Sequence, residues 1–215
     1  TGYELWAHEA TNDSTWQVAD INSGSGGSNP YGGRNSTFTV MGTRLYFRAT
    51  DGITGYELWA HEATNDSTWQ VADINSGAGS GVLEITAMGT RLYLSADDGI
   101  TGWELWAHET TNSSTWQVAD INSGNSESWS NPSQFTPMGT RFYFKASDGI
   151  TGYELWAHDT TNNSTWQVAD INSGSNSSSP AWIKAMGTRL YFRANDGITG
   201  YELHMMEIEH TITYN

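Results

Sequence analysis

Short polar side chains recur in this sequence at fixed intervals and beside many aromatic residues. Each of four segments that read Val-Ala-Asp-Ile-Asn-Ser-Gly places a carboxylate and an amide two residues apart. Sugars are held by aromatic faces together with a few short polar groups, which is the combination present here. We therefore predict carbohydrate contacts at the acid–amide pairs Asp20 with Asn22, Asp73 with Asn75, Asp120 with Asn122, and Asp170 with Asn172. A turn at the end of a strand is the alternative role for these residues.

Three aromatic residues lie in the segments that differ between the repeated parts, namely Tyr31, Trp129 and Trp182. An exposed ring at such a place is hard to explain by packing, so we predict that these residues contribute to carbohydrate binding. Anchoring of the loops is the alternative. Identical weak sites on one rigid body gain avidity when the partner is also repetitive, as glycans on a surface are. The sequence therefore predicts multivalent binding of glycans.

The segment Asp-Gly-Ile-Thr-Gly begins at Asp51, Asp98, Asp148 and Asp196. These aspartates offer oxygen ligands for calcium, but a dedicated calcium loop contains a denser set of carboxylates. The Asp-Gly pair is also a strong signal for a hairpin turn. We expect a turn and no cofactor, with calcium binding as the weaker alternative.

One histidine recurs in each full unit, at His8, His61, His108 and His158. Their spacing matches no metal site, and we expect a structural role in which each ring is hydrogen-bonded between neighbouring repeat units. Hydrolytic sites usually draw single residues from several elements, whereas here the candidate Ser, His and Asp residues are all replicated. The sequence does not position the unique carboxylates Glu84 and Glu127. We predict that the protein is not an enzyme.

The acidity of the chain restricts its partners. Its 215 residues include 9 Lys and Arg against 24 Asp and Glu, a formal net charge of −15. Binding to nucleic acid or to an anionic membrane needs a basic surface, so neither is expected. The absence of cysteine excludes disulfides, zinc–thiolate sites and cysteine nucleophiles. No apolar stretch approaches the ~18 residues that a membrane span needs, so membrane insertion is not expected.

All of these residues belong to a repeat. The Glu of a Glu-Leu segment recurs at Glu4, Glu57, Glu104, Glu154 and Glu202, at spacings of 53, 47, 50 and 48 residues. We predict one domain over 1–215, with units at about 1–53, 54–100, 101–150 and 151–198 and a partial unit at 199–215. Length varies only between Asn-Ser-Gly and the next Met-Gly-Thr-Arg, which indicates a surface loop.

Each unit contains four strand signals and no sustained helical period. We expect the Arg, Tyr and Arg of 44–49 to share one side of a sheet with the Glu, Trp and His of 56–61, which allows Arg–Glu pairing there. The repeated tryptophans are predicted to pack between sheets. Four-stranded units of about 48 residues indicate an all-β fold, a β-propeller. By residue count we predict five blades with one incomplete; four blades plus an extra hairpin is the alternative.

The run from Leu45 to Gly77 resembles the bacterial ELWxxDGT repeat, and its hairpin order also resembles kelch blades. The resemblance rests on Leu-Tyr-Phe, on Asp-Gly-x-x-Gly-x-Glu-Leu-Trp and on Val-x-Asp-Ile, and it covers nearly the whole chain. The chain departs from the family at Asp-Gly-Thr, where it has His-Glu-Ala-Thr or a close variant. The resemblance implies a propeller-like array that is secreted or associated with a surface, and it does not indicate an activity. No leader sequence is visible, and we expect a mature extracellular or cell-surface chain.

Two classes of function follow. The first is a lectin-like or adhesion propeller that binds glycans or cell-surface glycoconjugates. The second is a structural or protein-interaction propeller, or an engineered symmetric scaffold without a small-molecule ligand. Exposed strand edges on an incomplete blade would favour pairing with a second copy, so we also expect a tendency to form homo-oligomers.

Overall fold

The computed structural model describes residues 2–30, 38–76, 80–124 and 127–208, and these residues form seventeen β-strands without a helix. The predicted all-β class is confirmed. Within the described ranges, no helix has the length and the apolar character needed to cross a bilayer.

The strands form one hairpin and four sheets. The N-terminal hairpin consists of β1 (Leu5–Glu9) and β2 (Ser14–Ala19). Sheet 1 consists of β3 (Thr39–Met41), β4 (Arg44–Thr50), β5 (Gly55–Glu62) and β6 (Ser67–Ala72). Sheet 2 consists of β7 (Ser80–Met88), β8 (Arg91–Asp97), β9 (Trp103–Glu109) and β10 (Ser114–Ala119). Sheet 3 consists of β11 (Ser133–Met138), β12 (Arg141–Ser147), β13 (Tyr153–Asp159) and β14 (Ser164–Ala169). Sheet 4 consists of β15 (Ala181–Met186), β16 (Arg189–Asn195) and β17 (Tyr201–Glu207).

Consecutive strands of each sheet pair in antiparallel fashion, and a short parallel pairing of β5 with β7 also joins sheets 1 and 2. Each sheet begins with the strand that leads into Met-Gly-Thr-Arg. The sheets are therefore one hairpin out of phase with the sequence units, which we counted from the Glu-Leu strand.

The register between β4 and β5 corrects the expected pairing of faces. Phe47 lies opposite Trp59, and Ala49 lies opposite Glu57. Residues directly opposite each other point to the same side of a sheet, so the Leu/Phe/Ala face joins the Glu/Trp/His face. The prediction was wrong because a change of one residue in the register moves every side chain to the other side. The arginine at the start of each second strand pairs instead with the acid that ends the third strand, as in Arg44 Nε–Glu62 Oε2 at 3.2 Å.

Each interface between sheets joins two kinds of face. One face of sheet 1 presents Tyr46, Leu58 and Ala60, and these residues pack against Leu92 and Leu94 on the opposite kind of face of sheet 2. The same positions make up the interface between sheets 2 and 3 and the interface between sheets 3 and 4. We call the face with the Tyr, Leu and Ala the leading face of a sheet, and the opposite one its trailing face.

The trailing face contains the tryptophan of the Glu-Leu-Trp segment. Trp59 packs with Phe47 of its own sheet and with Leu5 of the N-terminal hairpin. Trp59 and Trp156 are each 9% exposed, which confirms packing between sheets for these rings. Trp6 is 57% exposed, because no described sheet covers the trailing face of the hairpin.

The first strands of the four sheets lie side by side: β3 contacts β7, β7 contacts β11, and β11 contacts β15. A side-chain hydrogen bond links β3 to β7, from Thr39 Oγ1 to the Ile85 carbonyl (3.0 Å). Another links β11 to β15, from Thr136 Oγ1 to the Ile183 carbonyl (2.9 Å). We call β3, β7, β11 and β15 the central strands.

Candidate functional site

Three of the central strands contain a β-bulge at the same place. The register shifts between Leu83 and Ile85 in β7, between Ser133 and Thr136 in β11, and between Ala181 and Lys184 in β15. A bulge leaves backbone groups without their ladder partners, so those groups need other acceptors. The side chains at these bulges are Glu84, Gln134 and Trp182.

The first two of these side chains each cap the bulge of the next sheet. Glu84 accepts hydrogen bonds from the backbone N–H of Gln134 (2.7 Å) and of Phe135 (2.8 Å). The Gln134 side-chain oxygen in turn accepts one from the backbone N–H of Trp182 (3.0 Å). Burial raises the pKa of Glu84, although the two N–H donors and the charge of Lys145 oppose this shift.

Trp182 ends this series. An indole has a donor and no acceptor, so it cannot cap a further bulge as Glu84 and Gln134 do. Its side chain is 70% exposed, and the residue has a positive φ of 54°. Gln134, at the equivalent position of β11, has a similar positive φ of 66°, so this backbone conformation is common to the bulges of β11 and β15. The exposed aromatic ring is what distinguishes Trp182 from Gln134 and Glu84.

Trp182 lies over a groove of about 300 Å³ between the central strands. Its walls include one carboxylate, one amide, one hydroxyl and one ammonium group. The lining residues are Glu84, Gln134, Phe135, Thr136, Trp182, Ile183 and Lys184. We call this the axial groove.

A second groove, of about 330 Å³, adjoins the first at Trp182 and Lys184 and runs over the leading face of sheet 4. The Arg193 guanidinium lies 5.4 Å from the centre of the Trp182 ring and 3.7 Å from that of Tyr201. Stacking on two aromatic faces therefore holds the cation here. We call this the end groove.

The amides of the predicted acid–amide pairs have structural contacts. Three of the asparagines, Asn22, Asn122 and Asn172, close their own loops, as when Asn172 Nδ2 donates to the Ser177 carbonyl (3.2 Å). The same amide rests against the next sheet, because a Cβ on Gly197 would be 2.4 Å from Asn172 Oδ1. Asn22, Asn75 and Asn122 contact Gly52, Gly99 and Gly149 in the same way. The aspartates Asp20, Asp73, Asp120 and Asp170 are exposed at the ends of strands.

Of the predicted loop aromatics, Trp182 lines the axial groove. Trp129 is 48% exposed and packs on Gly102, where a Cβ would be 2.5 Å from its Cδ1. Asn122 donates a hydrogen bond to the Trp129 carbonyl (3.3 Å), which fits the alternative of a loop anchor. Tyr31 lies outside the described residues.

The calcium candidates each organise their own turn. Asp51 Oδ1 accepts hydrogen bonds from the backbone N–H of Ile53 and of Thr54, both at 2.8 Å. Equivalent bonds are made by Asp98, Asp148 and Asp196. The predicted hairpin turn is confirmed, and no group of three or more His, Asp or Glu able to hold a metal occurs in the described part of the chain.

The repeated histidines bond within their own sheets. His158 Nδ1 lies 2.8 Å from Thr165 Oγ1, and its ring centre lies 5.3 Å from that of Tyr93 in the preceding sheet. Burial lowers the pKa of His158 to about 4, so the ring is neutral at neutral pH. The prediction of a hydrogen bond between neighbouring repeat units was wrong, because the bonded threonine lies on the adjacent strand of the same sheet; the contact with the preceding sheet is a packing of rings.

Sequence reasoning missed the role of the repeated buried glutamate. Glu154 accepts hydrogen bonds from the backbone N–H of Ile171 (2.9 Å) and from the N–H (2.7 Å) and hydroxyl (2.6 Å) of Ser178. The Ser178 carbonyl accepts one from Asn195 N of sheet 4 (2.9 Å), so this serine ties neighbouring sheets together. The corresponding pairs are Glu4 with Ser28 and Glu104 with Ser130. The available signal was a serine two residues before proline in three otherwise different loops.

Sequence reasoning also missed the axial groove. In the sequence Glu84 stands out only as a unique carboxylate, and no pattern marks Gln134 or Lys184. Counting back from Met-Gly-Thr-Arg would have placed Glu84, Gln134 and Trp182 at one equivalent position.

No protein-family model and no curated protein matches this sequence. Among solved structures, the chain is similar to a puromycin hydrolase, with a TM-score of 0.56 and 17% identity over 77% of this chain and 25% of the hydrolase. It is similar to a puromycin-hydrolyzing peptidase of Mycobacterium tuberculosis, with a TM-score of 0.55 and 12% identity over 77% of this chain and 26% of the peptidase. It is also similar to the computationally designed Ika4 protein, with a TM-score of 0.50 and 12% identity over 82% of this chain and 94% of Ika4.

The chain spans about a quarter of the length of the two hydrolases. At these identities the similarity shows the fold alone. The fold is all-β and propeller-like, as the sequence predicted.

Proposed function

We propose that this protein is a non-enzymatic β-propeller that binds carbohydrate in the axial groove. The observation that carries the proposal is the exposed Trp182 ring above a groove with polar walls. The bulge series does not need an aromatic residue at this position, since Glu84 and Gln134 occupy it in sheets 2 and 3.

The chemistry of the groove supports a sugar. The apolar face of a pyranose ring stacks on an indole, and its hydroxyl groups need donors and acceptors close to that ring. Lys184 offers an exposed ammonium group, and the Gln134 amide keeps its N–H donors while its oxygen holds Trp182. We assign the groove no catalytic step.

We infer one such site per chain in place of several equivalent ones. Three of the repeated asparagines close loops, and all four contact a glycine of the next sheet. The groove is lined instead by residues that differ between units. Multivalency would then depend on the number of chains that act together.

We infer four blades with an additional N-terminal hairpin, which is the alternative count, in preference to five blades. The support for this count is that the four central strands each begin a sheet, whereas the hairpin has no central strand among the described residues. We propose an extracellular or cell-surface location, where glycoconjugates are available as partners.

A panel of oligosaccharides on an array, followed by calorimetric titration of the hits, tests the carbohydrate proposal. We expect Trp182→Ala to weaken the affinity about tenfold, which corresponds to about 1.4 kcal/mol, because it removes the stacking surface. Trp129→Ala is the matched control, since it removes a half-exposed tryptophan outside the groove. Absence of binding across diverse sugars, or equal losses in both variants, would contradict the proposal.

A further inference from the structure

Leading and trailing faces cover each other at each internal interface. The leucine of the leading face is fully buried at Leu58, Leu105 and Leu155, each 0% exposed. Each of these leucines packs in a cluster with trailing-face residues of the following sheet. The contact is therefore a repeated and specific pairing of two different surfaces.

One leading face is left uncovered. On sheet 4, Leu203 is 76% exposed and Met205 is 52% exposed, although their equivalents in sheet 3, Leu155 and Ala157, are 0% exposed. The end groove of about 330 Å³ lies on this same face. Apolar side chains of this size, exposed side by side, are typical of an interaction surface.

One trailing face is also left uncovered. On the N-terminal hairpin, Trp6 is 57% exposed, compared with 9% for its equivalent Trp156. His8 is exposed, whereas His158 is fully buried. A groove of about 310 Å³ beside Tyr3 lies at the same end of the chain.

We propose that the leading face of sheet 4 docks the trailing face of the N-terminal hairpin of a second copy of this chain. The exposed residues at the two ends occupy the positions whose equivalents in other sheets pack against each other at the internal interfaces. By that pattern, Trp6 of one copy packs on Leu203 of the other, and His8 packs on Tyr191 as His158 packs on Tyr93 at 5.3 Å.

The structure favours a second copy over the hairpin of the same chain. Leu5 already holds this hairpin against Phe47 and Trp59 of sheet 1. Among the described residues, no apolar cluster and no hydrogen bond joins the hairpin to sheet 4. Both end faces are therefore open at once.

The contact joins two different surfaces, so it is head-to-tail and can repeat. Such contacts produce a ring when the rotation closes and a longer assembly when it does not. Each copy has a net charge of −15, which opposes association, so added salt should strengthen it by screening.

Sedimentation velocity of the full chain over a wide concentration range, without sugar, tests this proposal. We expect the wild type to form dimers or larger species. Leu203→Glu and Trp6→Glu should each weaken self-association at least about tenfold, because each places a charge in an apolar contact. Ile198→Glu is the control, since Ile198 is 91% exposed in a turn and belongs to neither face.

An equimolar mixture of the two variants separates head-to-tail docking from other contacts. Each variant retains one intact face, so the mixture should form a dimer of one Leu203→Glu chain with one Trp6→Glu chain and stop there. A two-fold contact between identical faces would not be restored by mixing, and this outcome would overturn the proposal.

Two other results would also overturn it. One is a wild type that stays monomeric at every concentration. The other is a Leu203→Glu variant that lowers the melting temperature without changing the mass, which indicates that the hairpin of the same chain covers this face. Trp182 is left unchanged throughout because it lines both grooves, so failure of sugar binding does not affect this test.

Discussion

Leu155 and Leu203 occupy the same position in successive repeats, within Tyr-Glu-Leu in both cases. Leu155 is 0% exposed in the middle of the molecule, whereas Leu203 is 76% exposed at its end. The difference comes from the neighbouring sheet, since sheet 4 covers the leading face that contains Leu155 and no described sheet covers that of Leu203. In this fold a side chain's contribution to stability is set by whether the next unit is present.

The largest difference in stability between the middle and the end of the molecule is expected when each of these two leucines is truncated to alanine. Leu155→Ala should destabilise the protein by about 2–5 kcal/mol, because it removes a buried side chain and leaves a cavity. Leu203→Ala should change the free energy of unfolding by less than about 0.5 kcal/mol. Urea denaturation at low protein concentration, where copies do not associate, measures both. Equal losses would show that the leading face of sheet 4 is covered in solution.

The middle and the end also differ in what the sequence could predict. The strands, the turns at Asp51 and its equivalents, and the packing of Trp59 follow from local pattern, because the residues that decide them are close in sequence or strictly repeated. The face pairing of β4 with β5 was mispredicted, since alternation alone does not fix the register.

The axial groove depends on contacts that no local pattern contains. Glu84 and Gln134 are 50 residues apart and meet only because bulges in two neighbouring central strands face each other. The place of Trp182 in a variable segment predicts an exposed aromatic ring, but it does not predict which residues line the groove beside it. The exposure of Trp6 could not be predicted either, because the sequence around it is identical to that around the buried Trp59. Leu203 shares with Leu155 the residues that directly precede it, and only the residues that follow it differ.

The comparison of the middle with the end of the molecule also predicts a smaller effect, which concerns the dependence of folding stability on pH. His158 is buried, and its Nε2 has no hydrogen-bond partner among the described residues. Burial lowers its pKa from 6.5 to about 4, so between these values the unfolded chain binds a proton that the folded chain does not. Stability should therefore fall as the pH falls through this window.

We expect His158→Gln to flatten this part of the curve of unfolding free energy against pH, whatever its effect at neutral pH. His8→Gln is the matched control at the end of the chain, because His8 is exposed. Denaturant titrations at several pH values measure the slopes. Curves that remain parallel to that of the wild type in both variants would show that His158 is protonated as readily as a solvated histidine.

The smallest difference in stability between the middle and the end is expected for the arginine–carboxylate ion pairs of sheets 3 and 4. Arg141 Nε lies 2.8 Å from Asp159 Oδ2, whose side chain is only 7% exposed, and the Arg141 guanidinium lies 5.6 Å from the centre of the Trp166 ring. Arg189 Nε lies 2.7 Å from Glu207 Oε2, but these side chains are 50% and 53% exposed. Solvent screens the second pair more strongly, although it is no longer than the first.

Arg141→Ala should therefore cost about 1–2 kcal/mol, since it leaves a partly buried carboxylate and removes a contact with an indole. Arg189→Ala should cost less than about 0.5 kcal/mol. Unfolding of both variants at low and high salt provides the measurement, with the Arg189 effect vanishing at high salt. If Arg189→Ala is as costly as Arg141→Ala, the end of sheet 4 is as well shielded from water as the middle, and some other surface must be covering it.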